Sequence, residues 1–152
     1  MRRRTVEWQV CGACNYDCSY CIQSTKTRVG HPSSDEVSSF LDFFARLPDA
    51  WEVKMTGGEP FAFDEFLERI VPGLVERTPH TLSLLTNLSA SRAKLERFAA
   101  LTRGRLGIVS ASIHLEHVEL ETFVEKARAF RAAIDPAASM VINAVLVPGR
   151  LA

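Results

Sequence analysis

The stretch Trp51-Glu52-Val53-Lys54-Met55-Thr56-Gly57-Gly58-Glu59-Pro60 decides the reading of the fold. A strand over Trp51 to Met55 runs into a glycine turn, and a helix follows Phe63 with Phe66, Leu67, Ile70 and Leu74 on one face. Apolar positions three and four residues apart mark a helix whose stripe faces a core. Pro72 falls inside that stripe, so the helix is expected to bend or end early, because proline has no N–H to donate.

The same strand–turn–helix unit recurs in both directions. Upstream, a strand over Val6 to Val10 precedes a helix starting near Ser33, where Ser33 and Glu36 have capping-box spacing. Its stripe is Val37, Phe40, Leu41, Phe44 and Leu47. Downstream come a strand over Thr81 to Leu85, a helix over about Ser91 to Leu101, and a strand over Leu106 to Ile113. A helix carrying Leu120, Phe123, Val124, Ala127 and Phe130 follows. The last strand, Ser139 to Val147, is an apolar run of the kind buried on both faces. Repeated units of this length imply an α/β fold with a parallel sheet and right-handed crossovers. A flat doubly wound sheet and a curved barrel read alike at this level. In both, ligands gather at the carboxyl ends of the strands, so polar residues just after strands can share one site.

Composition narrows the function. The chain has 152 residues, 47% hydrophobic and 24% charged, enough for one domain with a core. Its 18 basic residues balance 18 acidic ones, so no overall charge draws it to nucleic acid or an anionic membrane. Arg2-Arg3-Arg4 reads as a solvated terminus rather than a nucleic-acid arm. The apolar stretch after it is short and broken by Glu7 and Gln9, unlike a signal peptide, and no segment has the length of a membrane span. A cytoplasmic location is the default expectation. No repeat, low-complexity segment or linker is visible.

All four cysteines, Cys11, Cys14, Cys18 and Cys21, fall in one short stretch. A disulfide scaffold spreads its cysteines, so this clustering points to metal or redox chemistry. In Cys14-Asn15-Tyr16-Asp17-Cys18-Ser19-Tyr20-Cys21 three thiols stand four and three residues apart, close enough to wrap one soft-metal centre. A four-iron cluster held by three cysteines keeps one iron open for a small molecule. A four-sulfur zinc site that adds Cys11 is the competing reading, although zinc sites more often pair two separated knuckles. With three ligands, Cys11 becomes a small buried thiol at the strand end.

The cysteine-x3-cysteine-x2-cysteine loop, with aromatic Tyr20 before the last cysteine, resembles that of the radical SAM superfamily. Thr56-Gly57-Gly58-Glu59-Pro60 is similar to the family's glycine-glycine-glutamate-proline motif. Thr86-Asn87 and Ser110-Ala111-Ser112-Ile113-His114 stand where members place polar residues. The resemblance covers nearly the whole chain. It implies a partial TIM-like (β/α) barrel, here about five parallel strand–helix units, and a 4Fe-4S cluster on Cys14, Cys18 and Cys21. It also implies S-adenosylmethionine on the open iron, cleaved by one electron to methionine and a 5′-deoxyadenosyl radical that abstracts hydrogen from a substrate. A reductant such as flavodoxin or ferredoxin would supply the electron.

The same resemblance assigns cofactor-binding residues. Gly57 and Gly58 would admit the methionyl amino group, with Glu59 beside it and Pro60 stiffening the exit. Tyr20 would lie near the adenine, or cover the cluster as a core aromatic. Asn87 would line the pocket, or cap the third helix. Ser112 would contact the ribose or the carboxylate. His114, on the same strand face, would contact the carboxylate or substrate, or serve as a surface residue. Asn143 would face the cofactor, or bond within the sheet layer. Val147-Pro148-Gly149 loosely matches the part that shapes the adenine pocket. Glu116 and His117 read as residues leading into the fourth helix.

A full core of this family has six units, so the chain reads as one core domain over 1–152, truncated before the sixth. The alternative function is a truncated, non-catalytic module that holds zinc or an iron–sulfur cluster for a structural or partner-binding role.

Overall fold

A computed structural model of the chain describes residues 4–23 and 30–145. Five strands form one parallel sheet in the sequential order β1-β2-β3-β4-β5: β1 Thr5–Cys11, β2 Glu52–Gly57, β3 Thr81–Thr86, β4 Leu106–Ile113 and β5 Ser139–Ala144. The helices between them are α1 Ser34–Arg46, α2 Val71–Arg77, α3 Arg92–Leu101 and α4 Leu120–Ala133. A doubly wound sheet reverses its order at a switch point, and this sheet does not. The order is that of a (β/α) barrel left open, as the sequence led us to expect.

Alternation within each strand sorts side chains to two faces. Trp8, Val10, Val53, Met55, Leu82, Leu84, Val109 and Ala111 are buried in the core. Four phenylalanines, Phe61, Phe66, Phe98 and Phe130, continue that core, with ring centroids 5.3 to 6.2 Å apart. Burying each such ring contributes roughly 1.5–3 kcal/mol. The opposite face carries Glu7, Gln9, Lys54, Thr56, Ser110 and Ser112, none of them buried.

Ser33 caps α1 with both bonds of a capping box: Glu36 N–H donates to the Ser33 hydroxyl, and Ser33 N–H to the Glu36 carboxylate. Pro72 does not end its helix. A π-helical turn over Phe66–Ile70 precedes it, with Val71 N–H donating five residues back to Phe66 O. Pro72 then lies at the start of α2, where a missing N–H leaves no bond unmade.

The last strand departs from expectation. β5 ends at Ala144, and Val141, Ile142 and Val145 are 46%, 50% and 43% exposed rather than buried on both faces. Its apolar run signals a central strand, yet among the described residues no element lies beyond it to cover either face. Val147-Pro148-Gly149 and Arg2-Arg3 fall outside the described residues. Among the described residues no helix is long and apolar enough to cross a membrane.

Candidate functional site

A cavity of about 560 Å³ opens where the carboxyl ends of the strands converge. Cys14, Cys18, Tyr20 and Cys21 enter it from the loop after β1, and Gly57 and Gly58 from the end of β2. Thr86 and Asn87 come from the end of β3, Ser112 and His114 from the end of β4, and Val145 from just past β5. Residues from Glu7 to Val145 thus share one hollow. Its volume falls within the roughly 300–1,000 Å³ usual for small-molecule sites.

The glycines are explained by backbone packing. A Cβ on Gly57 would lie 2.4 Å from Cys11 O, and one on Gly58 would lie 2.1 Å from Ala13 O. Gly57 also has φ of 148°, which disfavours a side chain. Gly58 N–H donates to Cys11 O and Glu59 N–H to Ala13 O, both at 3.0 Å. The glycine turn is seated directly on the first residues of the cysteine loop.

Glu59 lies beneath the cavity wall, 1% exposed, and does not open onto it. Its Oε1 accepts from Thr86 Oγ1 at 2.8 Å and Phe61 N–H at 3.2 Å, and its Oε2 from Asn87 N–H at 2.6 Å. Burial raises its pKa, and the three donors oppose that shift. The sequence reading set this carboxylate against a cationic amine; in the fold both oxygens hold the chain together. Pro60 begins a 3₁₀ turn and is buried behind the glycines.

Asn87 does not cap α3; Ser91 does, accepting from Lys94 N–H. Asn87 Oδ1 accepts from Ser89 N–H at 2.9 Å, and its Nδ2 donates to Asn15 Oδ1 at 3.1 Å, reaching the cysteine loop. Asn143 pairs in register with Ser112 but is exposed on β5, outside the cavity lining.

The cysteines differ in surroundings. Cys11 is 2% exposed, and its thiol donates to the carbonyls of Ala13 and Glu59, each at 3.5 Å. Burial first, and then the Glu59 charge, push its pKa to about 11. It does not line the cavity. Cys18 is buried, Cys14 intermediate and Cys21 exposed. Burial raises the Cys18 pKa most, a hydrogen bond from Tyr20 lowers it, and the neighbouring Cys14 and Cys21 raise it again. Three thiols around one hollow are a donor set suited to a soft cation.

The loop after β4 closes over the cysteine loop. His114 Nδ1 lies 2.9 Å from Tyr20 Oη and 3.5 Å from Cys18 Sγ, and the two rings stack at 5.8 Å. Burial, and then the neighbouring His117, lower the His114 pKa, and Glu116 opposes them. Glu116 accepts from Ser19 N–H at 2.7 Å and Ser19 Oγ at 2.5 Å, and His117 stacks on Tyr16 at 4.6 Å. Glu116 and His117 therefore bind the cysteine loop rather than merely leading into α4, whose cap is Glu119. The sequence offered no periodic signal for this contact, which joins segments almost a hundred residues apart.

A model described as the Radical SAM superfamily matches residues 8–150. Among solved structures, the chain is similar to BtrN in complex with AdoMet and 2-DOIA, at 16% identity and a TM-score of 0.69, over 95% of this chain and 57% of that one. It is also similar to native anSMEcpe with bound AdoMet and Cp18Cys peptide, at 17% identity and a TM-score of 0.67, over 93% of this chain and 42% of that one. The chain thus spans little more than half the length of BtrN and less than half that of anSMEcpe. Identities this low show a shared fold. No curated protein gives a sequence match.

Proposed function

This chain belongs to the Radical SAM superfamily, and from that membership we propose that its cavity is the site of reductive S-adenosylmethionine cleavage. The observation that carries the reading is the meeting of Cys14, Cys18 and Cys21 with Gly57, Gly58 and Ser112 around one hollow. When bound, a 4Fe-4S cluster and S-adenosylmethionine supply a 5′-deoxyadenosyl radical able to take hydrogen from a substrate.

The chain's own residues have separate tasks. Cys14, Cys18 and Cys21 would hold the cluster, while the Cys11 thiol bonds backbone carbonyls. Gly57 and Gly58 fix the cavity wall against the cysteine loop and leave a side-chain-free surface for the methionyl amino group. Glu59 and Pro60 support that wall from behind, and Asn87 ties it to Asn15. Ser112 offers a hydroxyl to the ribose or carboxylate. Tyr20 and His114 form the wall beside Cys18. Asn143 lies on the same sheet face as Ser112 and meets the cofactor only if the lining extends past β5. The exposed Cys21 side suits electron delivery by a flavodoxin or ferredoxin. Gln9 and Leu85 also line the cavity.

A second reading has its own support: Cys18 Sγ, a Glu116 oxygen and a His117 nitrogen lie within 4.8 Å of one another, a donor set that suits zinc. Anaerobic reconstitution with iron and sulfide separates the two. The radical SAM reading predicts a brown protein that forms 5′-deoxyadenosine from S-adenosylmethionine and dithionite, with the product lost in Cys18→Ala. One bound zinc, no iron and no 5′-deoxyadenosine would favour the second.

A further inference from the structure

We infer that His114 and Tyr20 act as a paired hydrogen-bond donor to the Cys18 sulfur and so set the reduction potential of the centre Cys18 helps to hold. The inference rests on the cluster reading above and assigns these two residues a positioning role within it. His114 Nδ1 lies 2.9 Å from Tyr20 Oη and 3.5 Å from Cys18 Sγ, so nitrogen, oxygen and sulfur form one small hydrogen-bonded group.

A thiol at Cys18 can give its hydrogen to His114. A metal-bound thiolate has none, so it can only accept, and the hydrogen must then come from His114 Nδ1–H or Tyr20 O–H. With the proton on Nδ1, His114 either donates to Tyr20 Oη, which leaves the Tyr20 O–H for the sulfur, or donates to the sulfur directly. The ring positions are over-determined. His114 stacks on Tyr20 with an interplanar angle of 16°, and Tyr16 meets His114 edge-on at 6.0 Å. Glu116 anchors the same loop to Ser19, next to Cys18. Cys18 is also the buried one of the three proposed ligands. A donor beside the least exposed sulfur has the largest effect, since less water competes for it. Hydrogen bonds to ligating sulfurs withdraw negative charge and raise the potential.

The test is a redox titration of the reconstituted full chain, with iron content measured in parallel. Tyr20→Phe removes one oxygen and keeps the stack. His114→Ala removes the ring, and His114→Gln restores an amide donor. The expected result is wild-type iron content in Tyr20→Phe with a several-fold lower ratio of reduced to oxidised centre at a fixed poise. His114→Ala falls further and His114→Gln recovers part of the loss. A tenfold change in that ratio is about 59 mV for a one-electron couple. Unchanged potentials in Tyr20→Phe and His114→Ala at full iron content would overturn this inference and leave the cluster reading intact. A wild-type chain that takes up no iron would overturn both.

Discussion

Glu59 Oε2 accepts the main-chain N–H of Asn87 at 2.6 Å, joining the exit of β2 to the exit of β3. Oε1 of the same carboxylate holds Thr86 and Phe61. The residues on either side of the cavity therefore share one buried anchor. Glu59→Ala strands three donors without an acceptor. Each buried, unsatisfied group costs about 1–3 kcal/mol, so a net loss of roughly 2–5 kcal/mol is expected after local relaxation. Urea unfolding of the variant against the parent checks it; a change within error would mean that the anchor is not needed.

Gly58→Ala tests the seat of the glycine turn on the cysteine loop. Its Cβ would meet the Ala13 carbonyl at 2.1 Å, and backbone cannot move aside as a flexible side chain can. Overpacking of this kind costs about 1–3 kcal/mol. The shift falls on the loop that carries Cys14, so iron retention after reconstitution should drop more steeply than the melting temperature.

Cys11 provides a pH test with a definite sign. Burial raises its pKa from an ordinary 9.0 to about 11. The stability gained by keeping this thiol neutral is fully present below pH 9.0 and is lost as pH climbs through about 11. The urea midpoint should fall across that alkaline window, and Cys11→Ala should flatten the fall. In the metal-free chain, peptide mapping after alkylation at mildly alkaline pH should find Cys11 modified last. Labelling as fast as that of the exposed Cys21 would contradict the burial argument.

Ser33→Ala separates stability from the site. It removes the hydroxyl that accepts from Glu36 N–H at the start of α1, at a cost of about 1 kcal/mol. The unfolding midpoint should drop while iron uptake stays at the parent level, because α1 contributes nothing to the cavity lining.

Much of this architecture was legible in local patterns. Ser33 and Glu36 announced the α1 cap, and β4 runs from Leu106 to Ile113 as its apolar pattern implied. Short-range spacing carries that information. The π turn before Pro72 was not legible, because it depends on the bond pattern of the preceding turn rather than on proline itself. β5 misled for a different reason. Residue type signals a buried strand, but burial is decided by neighbours, and among the described residues nothing beyond β5 covers Val141 and Ile142. At the site, the motif residues gather at the strand ends around one cavity, yet Glu59 bonds its own chain, and Glu116 and His117, read as residues leading into α4, hold the cysteine loop. Contacts between distant segments leave no mark in sequence periodicity.

The central claim is that Cys14, Cys18 and Cys21, and not Cys11, hold an iron–sulfur cluster with one iron open to S-adenosylmethionine. Electron paramagnetic resonance of the reconstituted, reduced chain tests it most directly. The account predicts a 4Fe-4S signal that shifts when S-adenosylmethionine is added, persists in Cys11→Ala and disappears in Cys14→Ala, Cys18→Ala and Cys21→Ala. A signal that ignores S-adenosylmethionine, or that is lost in Cys11→Ala and kept in Cys21→Ala, would contradict it.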